Sequence, residues 1–252
     1  MKITAITQAR LGSTRFPSKI FQKVNDKTLL EIQIDSLKKS RQIDNICIAT
    51  TSKKEDQKIM DFSKQLGVSC FQGSEHDVLD RFYQASLLHD SDIIIRLTSD
   101  CPLLDYRLID EMISKFLDLN VDYYSNTLIE NFPDGQDIEI FTFDTLETAW
   151  KESKILLERE HVSPYIRKNS DFLGGNKFKA SNHSTSSDYG NVRMTVDEVE
   201  DLEVIKILID KLGFFQKWEE YAEYYVKHPT IHSINNSIKR NEGYKKSLQK
   251  DS

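Results

Sequence analysis

Three cations and two small residues lie close together near the start of the chain, in the segment QARLGSTRFPSK. Arg10, Arg15 and Lys19 can form charge-assisted hydrogen bonds to phosphate oxygens, and Gly12 and Ser13 allow backbone N–H groups to approach such oxygens closely. The segment lacks the glycine patterns of a Walker A loop and of a dinucleotide-binding turn. It therefore predicts a polyphosphate site of another kind, although a solvated loop whose cations pair with nearby acids would have the same composition.

Two aspartates follow predicted strands elsewhere in the chain, Asp100 in RLTSDCPLLD and Asp197 in MTVDEVEDLE. Mg²⁺ that binds with a nucleotide takes one or two carboxylates and completes its ligands with phosphate oxygens and water. Each aspartate could instead be the N-cap of a helix, a common position for this residue. Considered with the cationic segment, the two aspartates predict a Mg²⁺–nucleotide site in which cations and carboxylates approach one ligand from opposite sides.

A third group of polar residues lies in FPDGQDIEIF and EREHVSPY. Asp137 and Glu139 alternate along a predicted strand, so both could simply face solvent on one side. His161 lies in a helical stretch, where a single histidine more often has a structural than a catalytic role. Residue types alone therefore leave the role of this group open.

Alternating strands and helices must position these residues. In the first half, helical segments separate four predicted strands, KITAITQA, IDNICIAT, VSCFQG and DIIIRLTSD. This alternation predicts right-handed crossovers and an α/β, Rossmann-like fold with a mainly parallel sheet flanked by helices. Ligands bind such sheets beyond the carboxyl ends of the strands, where the cationic segment and Asp100 would lie.

The second half departs from this alternation. Strands are predicted in VDYYSNT, QDIEIFTF and KFKASN, and a later one in NVRMTVD. A helical stretch from residue 143 must break at or before Pro164, and amphipathic helix is predicted from Phe214 to about Lys239. We predict a single domain over residues 1–240, in which about 122–185 form a small subdomain, and a polar tail over 241–252.

Composition limits the class of protein. The chain has 252 residues, a net charge of -6 and 29% charged residues, and it has no apolar run near the roughly 20 residues that cross a bilayer. The N-terminus lacks the apolar stretch of a signal peptide, so we expect a cytoplasmic protein without a membrane partner. Net acidity argues against nucleic-acid binding, and three cysteines without C-x-x-C spacing predict neither a disulfide framework nor a zinc site.

Considered together, the motifs resemble those of the spore-coat polysaccharide type of cytidylyltransferase, a family related to the 3-deoxy-manno-octulosonate and acylneuraminate cytidylyltransferases. QARLGSTRFPSK is similar to the family loop A-R-x-x-S-T-R-x-P-x-K at every fixed position, and RLTSDCPLLD is similar to R-x-T-x-D-x-P-L-x-D. FPDGQDIEIF, EREHVSPYI and TVDEVEDLEVI resemble three later motifs. The resemblance spans residues 3 to about 205, nearly the whole predicted domain.

The resemblance implies transfer of CMP from CTP to a sugar acid or to a sugar or polyol phosphate. Pyrophosphate would be released, and the product would serve surface polysaccharide or glycan synthesis. The resemblance also implies Mg²⁺ as cofactor and a homodimer in which a β-arm, NTLIENFPDGQDIEIF, packs on the neighbour. A catalytically silent nucleotide- or sugar-binding protein on the same fold, or a nucleotidyltransferase that uses another NTP, are the alternatives.

The resemblance also implies roles for individual residues. Arg10, Arg15 and Lys19 would hold the triphosphate and act in catalysis with Asp100, while Asp100 and Asp197 would hold Mg²⁺. Residues near the ends of the first four strands would bind the nucleotide: Ala9, Leu11, Gly12, Ser13, Thr50, Ser52, Ser74, Asp77 and Thr98. Residues of the second half would contact the acceptor: Gln136, Asp137, Glu139, Glu158, Arg159, His161 and Arg193.

Overall fold

The structure is a computed structural model that describes residues 1–13 and 15–242. Within these residues the strands are β1 (Ile3–Gln8), β2 (Lys23–Val24), β3 (Lys27–Thr28), β4 (Asn45–Thr51), β5 (Ser69–Gly73), β6 (Ile93–Thr98), β7 (Tyr123–Ser125), β8 (Glu139–Thr142) and β9 (Ala180–Asn182). The helices are α1 (Leu29–Leu37), α2 (Gln57–Gln65), α3 (Val78–Leu88), α4 (Tyr106–Leu119), α5 (Phe143–Glu152), α6 (Leu156–His161), α7 (Pro164–Lys168), α8 (Val199–Leu212), α9 (Trp218–Lys227) and α10 (Pro229–Asn235). Most of the predicted polar tail, residues 243–252, lies outside the described residues.

A central sheet has the strand order β5-β4-β1-β6-β8-β7-β9. β5, β4, β1 and β6 pair in parallel, whereas β8 is antiparallel to both β6 and β7. The predicted α/β fold with a mainly parallel sheet is therefore confirmed. The chain order of the parallel strands reverses between β1 and β6, so a crevice is expected beyond the carboxyl ends of these two strands.

Helices cover both faces of this sheet because alternate residues of its inner strands are apolar on opposite sides. Ala5 and Ile95 pack in a core with α1, α4, α8 and α9. Their neighbours Ile6 and Ile94 pack in a second core with α3, α5 and α7. Within the described part of the chain, no helix is both long and apolar enough to span a membrane.

The segment NVRMTVD was predicted as a strand, and this prediction is wrong. Its backbone groups pair with two separate loops instead of with a neighbouring strand. Met194 N–H donates to Asp134 O at 2.7 Å, and Val196 N–H donates to Asp100 O at 2.8 Å. The segment therefore ties together the loops that carry Asp134 and Asp100.

The segment predicted as a projecting β-arm supplies β8 to the central sheet, and β7 lies beside β8 in that sheet. Residues 126–138 between the two strands form a loop, which we call the 126–138 loop. Asn126 closes this loop, since its Nδ2 donates to Gln136 O at 2.6 Å and its Oδ1 accepts from Ile138 N–H at 2.9 Å. The side chain of Asn126 thus makes hydrogen bonds across the loop that backbone groups of the two strands would make in an extended hairpin.

We expect Gly135→Ala to lower the free energy of unfolding by about 2–4 kcal/mol. Gly135 has φ +111°, and an added Cβ would lie 2.6 Å from the carbonyl carbon of Met194. The control is Gly67→Ala, where φ is +64° and nothing lies within 4 Å of the added Cβ, so only about 1 kcal/mol is expected. Urea unfolding measures both, and equal losses would show that the contact with Met194 is unimportant.

Candidate active site

The first loop, residues 9–13 and 15–18, is anchored by hydrogen bonds at the crevice beside β1. Ala9 N–H donates to Ala49 O at 3.1 Å, and Leu11 N–H donates to Asp56 Oδ1 at 2.8 Å. Ser18 adopts left-handed backbone angles with φ 55°, and its N–H donates to Leu11 O at 3.0 Å. The loop therefore folds back on itself. Its residues Ala9 and Leu11 are buried, and they take part in these hydrogen bonds through their backbone groups.

Lys19 lies at the centre of the candidate site, between two carboxylates. Its Nζ is 2.6 Å from Asp197 Oδ1 and 3.3 Å from Asp100 Oδ2. Burial by itself would lower the pKa of Lys19, but the two carboxylates outweigh burial and raise that pKa. The side chain is therefore a cation at neutral pH, held where the predicted metal ligands meet.

Arg15 approaches the same carboxylate from the other side. Its Nη2 is 2.9 Å from Asp197 Oδ2, and its Nη1 is 3.2 Å from Glu198 Oε1. Burial would raise the pKa of Asp197, but Lys19 and Arg15 outweigh burial and lower it. The structure thus brings together two predicted triphosphate residues and both predicted metal ligands, although these residues come from three widely separated segments of the sequence.

The third predicted cation, Arg10, lies apart from this group. Its Nη1 is 3.3 Å from Glu75 Oε1, in the loop after β5, and the guanidinium is half exposed. Lys53 also pairs with Glu75, at 2.6 Å. Arg10 therefore pairs with the loop after β5, whereas Arg15 and Lys19 pair with the group around Asp197.

Asp197 precedes α8 and is held in place by a buried carboxylate. Asp197 N–H donates to Asp201 Oδ2 at 2.9 Å. Asp201 also accepts hydrogen bonds from Arg193 Nε at 2.8 Å and Nη2 at 2.9 Å. Arg193, which was predicted to contact the acceptor, is buried, and its guanidinium pairs with Asp201 and Asp134.

A cavity of about 630 Å³ opens beside this group. Arg15, Asp100 and Asp197 line one side of it. Four further predicted residues also line it: Thr98, Asp137, Glu139 and His161. Some of the predicted nucleotide and acceptor residues thus share one cavity at the crevice between β1 and β6, whereas the others lie outside its lining.

The surroundings of two acceptor-side residues shift their pKa values. Glu139 pairs with Arg96, the residue opposite it on β6, and accepts from Tyr123 Oη at 2.6 Å. Burial would raise the pKa of Glu139, but Arg96 outweighs burial and lowers it, so Glu139 is ionised. Burial lowers the pKa of His161, which is therefore mainly neutral at pH 7.

Gln136 was predicted to contact the acceptor, and the structure places it outside the cavity lining. The side chain is fully buried. Its Oε1 accepts from Asp105 N–H at 3.0 Å, and its Nε2 donates to Leu103 O at 2.7 Å. Gln136 therefore binds backbone groups between β6 and α4, and its contact with the acceptor stays a prediction.

Glu158 and Arg159 also lie away from the cavity lining. Glu158 is buried and pairs with Lys168. Arg159 Nε donates to Asp77 Oδ2 at 3.0 Å, while Asp77 Oδ1 caps α3 by accepting from Asp80 N–H at 2.9 Å. These two predicted acceptor residues thus stabilise the packing of α6 against α7 and α3.

The remaining predicted nucleotide residues surround the ends of β4 and β5. Ser52 and Ser74 are exposed there, whereas Thr50 is buried. Thr50 Oγ1 has no hydrogen-bond partner among the described residues. In the first loop, Gly12 is exposed, but Ser13 N–H donates to Leu11 O at 2.8 Å, so that donor is used within the loop.

Sequence reasoning missed Arg240, which follows α10 and lines the cavity. Its Nη2 is 2.6 Å from Asp137 Oδ1, and its Nη1 donates to Phe132 O at 3.1 Å. A single arginine in a polar run carries no pattern that distinguishes it from a solvated residue. Asn241 and Glu242, assigned to the polar tail, line the cavity as well.

We expect the stabilising effect of Asp197 to depend on pH. The pKa of Asp197 is lowered in the folded protein, so its charge stabilises the fold above the unfolded pKa of about 3.9 and loses this effect as the pH falls further. Asp197→Asn should therefore lower the free energy of unfolding by about 1–3 kcal/mol at pH 7, and the difference should shrink below about pH 4.

Urea unfolding in the presence of EDTA measures this difference without divalent cations. The control is Asp61→Asn, which removes an exposed carboxylate on α2 and should have little effect at either pH. A loss of stability in Asp197→Asn that is the same at pH 7 and at pH 3.5 would contradict the ion-pair explanation.

Comparison with known proteins supports the functional interpretation of this site. A model of the cytidylyltransferase family matches residues 4–212. A spore coat polysaccharide biosynthesis protein of Bacillus subtilis is 34% identical over 216 residues, which cover 84% of this chain and 88% of that protein.

Two solved structures have the same fold. A cytidylyltransferase from Leptospira borgpetersenii has a TM-score of 0.86 and 35% identity, with 92% of this chain and 96% of that chain covered. A CMP:2-keto-3-deoxy-manno-octonic acid synthetase complexed with CTP has a TM-score of 0.63, with 84% and 99% covered, and at 16% identity it shows the shared fold alone. The chain therefore belongs to the cytidylyltransferase family, a family of CTP-dependent nucleotidyltransferases.

Proposed function

We propose that this chain transfers CMP from CTP to a sugar acid or to a sugar or polyol phosphate, and releases pyrophosphate, in surface polysaccharide or glycan synthesis. The observation that carries the proposal is the meeting of Arg15, Lys19, Asp100 and Asp197, of which Arg15, Asp100 and Asp197 line the cavity. Cations that can hold a triphosphate and carboxylates that can hold Mg²⁺ lie together at the crevice between β1 and β6, the position where such sheets bind nucleotides.

The names of two similar proteins support the choice of acceptor. The Bacillus subtilis relative is a spore coat polysaccharide biosynthesis protein, and the CMP:2-keto-3-deoxy-manno-octonic acid synthetase acts with a sugar acid and was solved with CTP. An anionic acceptor also suits the cations on the far side of the cavity, Arg167 and Lys168. We therefore favour an acceptor with a carboxylate or phosphate over a neutral sugar.

The residues present fit a Mg²⁺ ion that is bound together with the nucleotide. Asp100 and Asp197 both lie within 3.3 Å of the Lys19 ammonium, so two carboxylates face one cation position. Among the described residues no group of three or more His, Cys, Asp and Glu side chains could hold a metal alone, so phosphate oxygens and water would supply the other ligands. When bound, Mg²⁺ would neutralise phosphate charge and polarise the α-phosphate.

The chain itself would act mainly through alignment and charge. Lys19 and Arg15 would hold phosphate oxygens, so that the negative charge that develops on the departing pyrophosphate meets fixed cations. An acceptor phosphate is already anionic and needs no base, whereas an acceptor hydroxyl must transfer its proton to a carboxylate or to solvent. The anchored first loop keeps these groups in place before the substrates bind.

The predicted homodimer is part of this proposal. The 126–138 loop exposes Ile129 next to the cavity residue Glu130, so a second copy that packs on this loop would lie close to the acceptor side. Light scattering after size-exclusion chromatography would measure the mass of the particle. A mass of one chain at micromolar concentration would contradict the dimer.

The experiment that tests the activity mixes the protein with CTP, Mg²⁺ and a panel of sugar acids and sugar or polyol phosphates. We expect pyrophosphate release with one anionic acceptor and a product whose mass equals acceptor plus CMP. ATP, GTP and UTP replace CTP in parallel reactions. The proposal is wrong if no acceptor gives pyrophosphate, or if another nucleotide is the better donor.

We expect Lys19→Ala and Asp100→Asn each to lower kcat by roughly 100- to 10,000-fold, because each removes a charge that faces the phosphates. Lys23→Ala removes an exposed cation four residues further on and should leave kcat within about twofold. Melting temperatures of all variants separate loss of activity from loss of fold. Normal turnover of Asp100→Asn would show that this carboxylate has no part in the reaction.

A further inference from the structure

The C-terminal segment, residues 236–242, forms one wall of the cavity. Arg240, Asn241 and Glu242 line it directly. Arg240 Nη1 donates to Phe132 O at 3.1 Å, and Asn241 Nδ2 donates to Glu130 Oε1 at 2.7 Å. The segment is therefore anchored to the 126–138 loop, on the acceptor side of the cavity.

This wall lies outside the residues that the family model matches. The family match ends at residue 212, whereas the group around Lys19 lies within residues 4–212. The nucleotide side of the cavity is thus built from the family's shared region, and part of the acceptor side is built from a later segment. A residue of this segment is well placed to determine which acceptor the cavity accepts.

Arg240 determines the charge of the acceptor side. Asp134 and Asp137 both line the cavity there. Asp134 pairs with Arg193 at 2.8 Å, whereas Asp137 has, among the described residues, only Arg240 as a cation within 4.0 Å. Arg240 Nε is also 4.0 Å from Asp134 Oδ1. Without Arg240, Asp137 would have no cation within 4.0 Å among the described residues, and its carboxylate would repel an anionic ligand.

We propose that Arg240 is a specificity-determining residue, which neutralises Asp137 and Asp134 and thereby allows the cavity to bind the carboxylate or phosphate of an anionic acceptor. This inference rests on the proposed function and adds a residue to it. Arg240 acts through the charge of its neighbours, so removal of one of those neighbouring charges should compensate for its loss. A purely structural role would not be compensated in this way.

The test measures the binding of inorganic phosphate and of acetate by calorimetry with CTP present, so that one probe represents each kind of acceptor anion. We expect Arg240→Gln to weaken binding of at least one probe roughly tenfold. Arg240→Gln/Asp137→Asn should recover binding to within about threefold of wild type. Arg240→Lys keeps the charge and should bind as wild type does. Lys239→Gln, which removes an exposed cation from the same segment, is the matched control and should have no effect.

Three results would overturn the inference. They are the absence of probe binding to the wild-type protein, unchanged binding in Arg240→Gln, and equally weak binding in the single and double variants. If the anions bound only at the first loop, binding would be unchanged in Arg240→Gln, which is the second of these results. If the acceptor panel gave no pyrophosphate while these binding differences were observed, the proposed function would fail and the role of Arg240 in anion binding would stand.

Discussion

The Lys19 ammonium between Asp100 and Asp197 is the interaction on which the candidate site depends. It joins three parts of the chain that the sequence separates widely: the first loop, the end of β6 and the start of α8. Desolvation makes a buried ion pair a poor source of net stability, but loss of one partner is strongly unfavourable because the other charge is left buried. The arrangement therefore fixes the positions of these groups more than it stabilises the protein.

A second group of polar residues holds the carboxylates of Asp100 and Asp197 in position. Asp201 is fully buried and accepts from Arg193, from Asn235 and from two backbone N–H groups before α8. Val196 N–H binds Asp100 O, so the backbones that carry the two carboxylates are joined directly. A site that must align a nucleotide benefits from this rigidity, because small displacements of charged groups reduce the rate strongly.

Sequence patterns predicted the strands and helices whose pattern is local. They did not predict the roles of residues for which burial in the folded chain determines the role. Apolar periodicity predicted the inner strands of the sheet. It also predicted a helix over YRLIDEMISKFLDL, where the structure has α4, Tyr106–Leu119. NVRMTVD alternates like a strand, yet its backbone bonds reach two different loops, and no local pattern shows which partners a backbone will find. Gln136 and Arg193 have the residue types of ligand contacts, but both are buried and satisfy internal groups. Arg240 carried no signal, because its partner Asp137 is 103 residues away.

The ion pairs of the candidate site would allow it to bind a highly charged ligand at little electrostatic cost. Arg15 and Lys19 are held by the same carboxylates that face the predicted Mg²⁺ position. A Mg²⁺–triphosphate brings cations for the carboxylates and anions for the two basic side chains, so each internal pair would be exchanged for a pair with the ligand. Preorganised charges of this kind need no rearrangement as the reaction proceeds. The charges on the acceptor side of the cavity are also paired in advance, because Arg240 pairs with Asp137 before an acceptor binds.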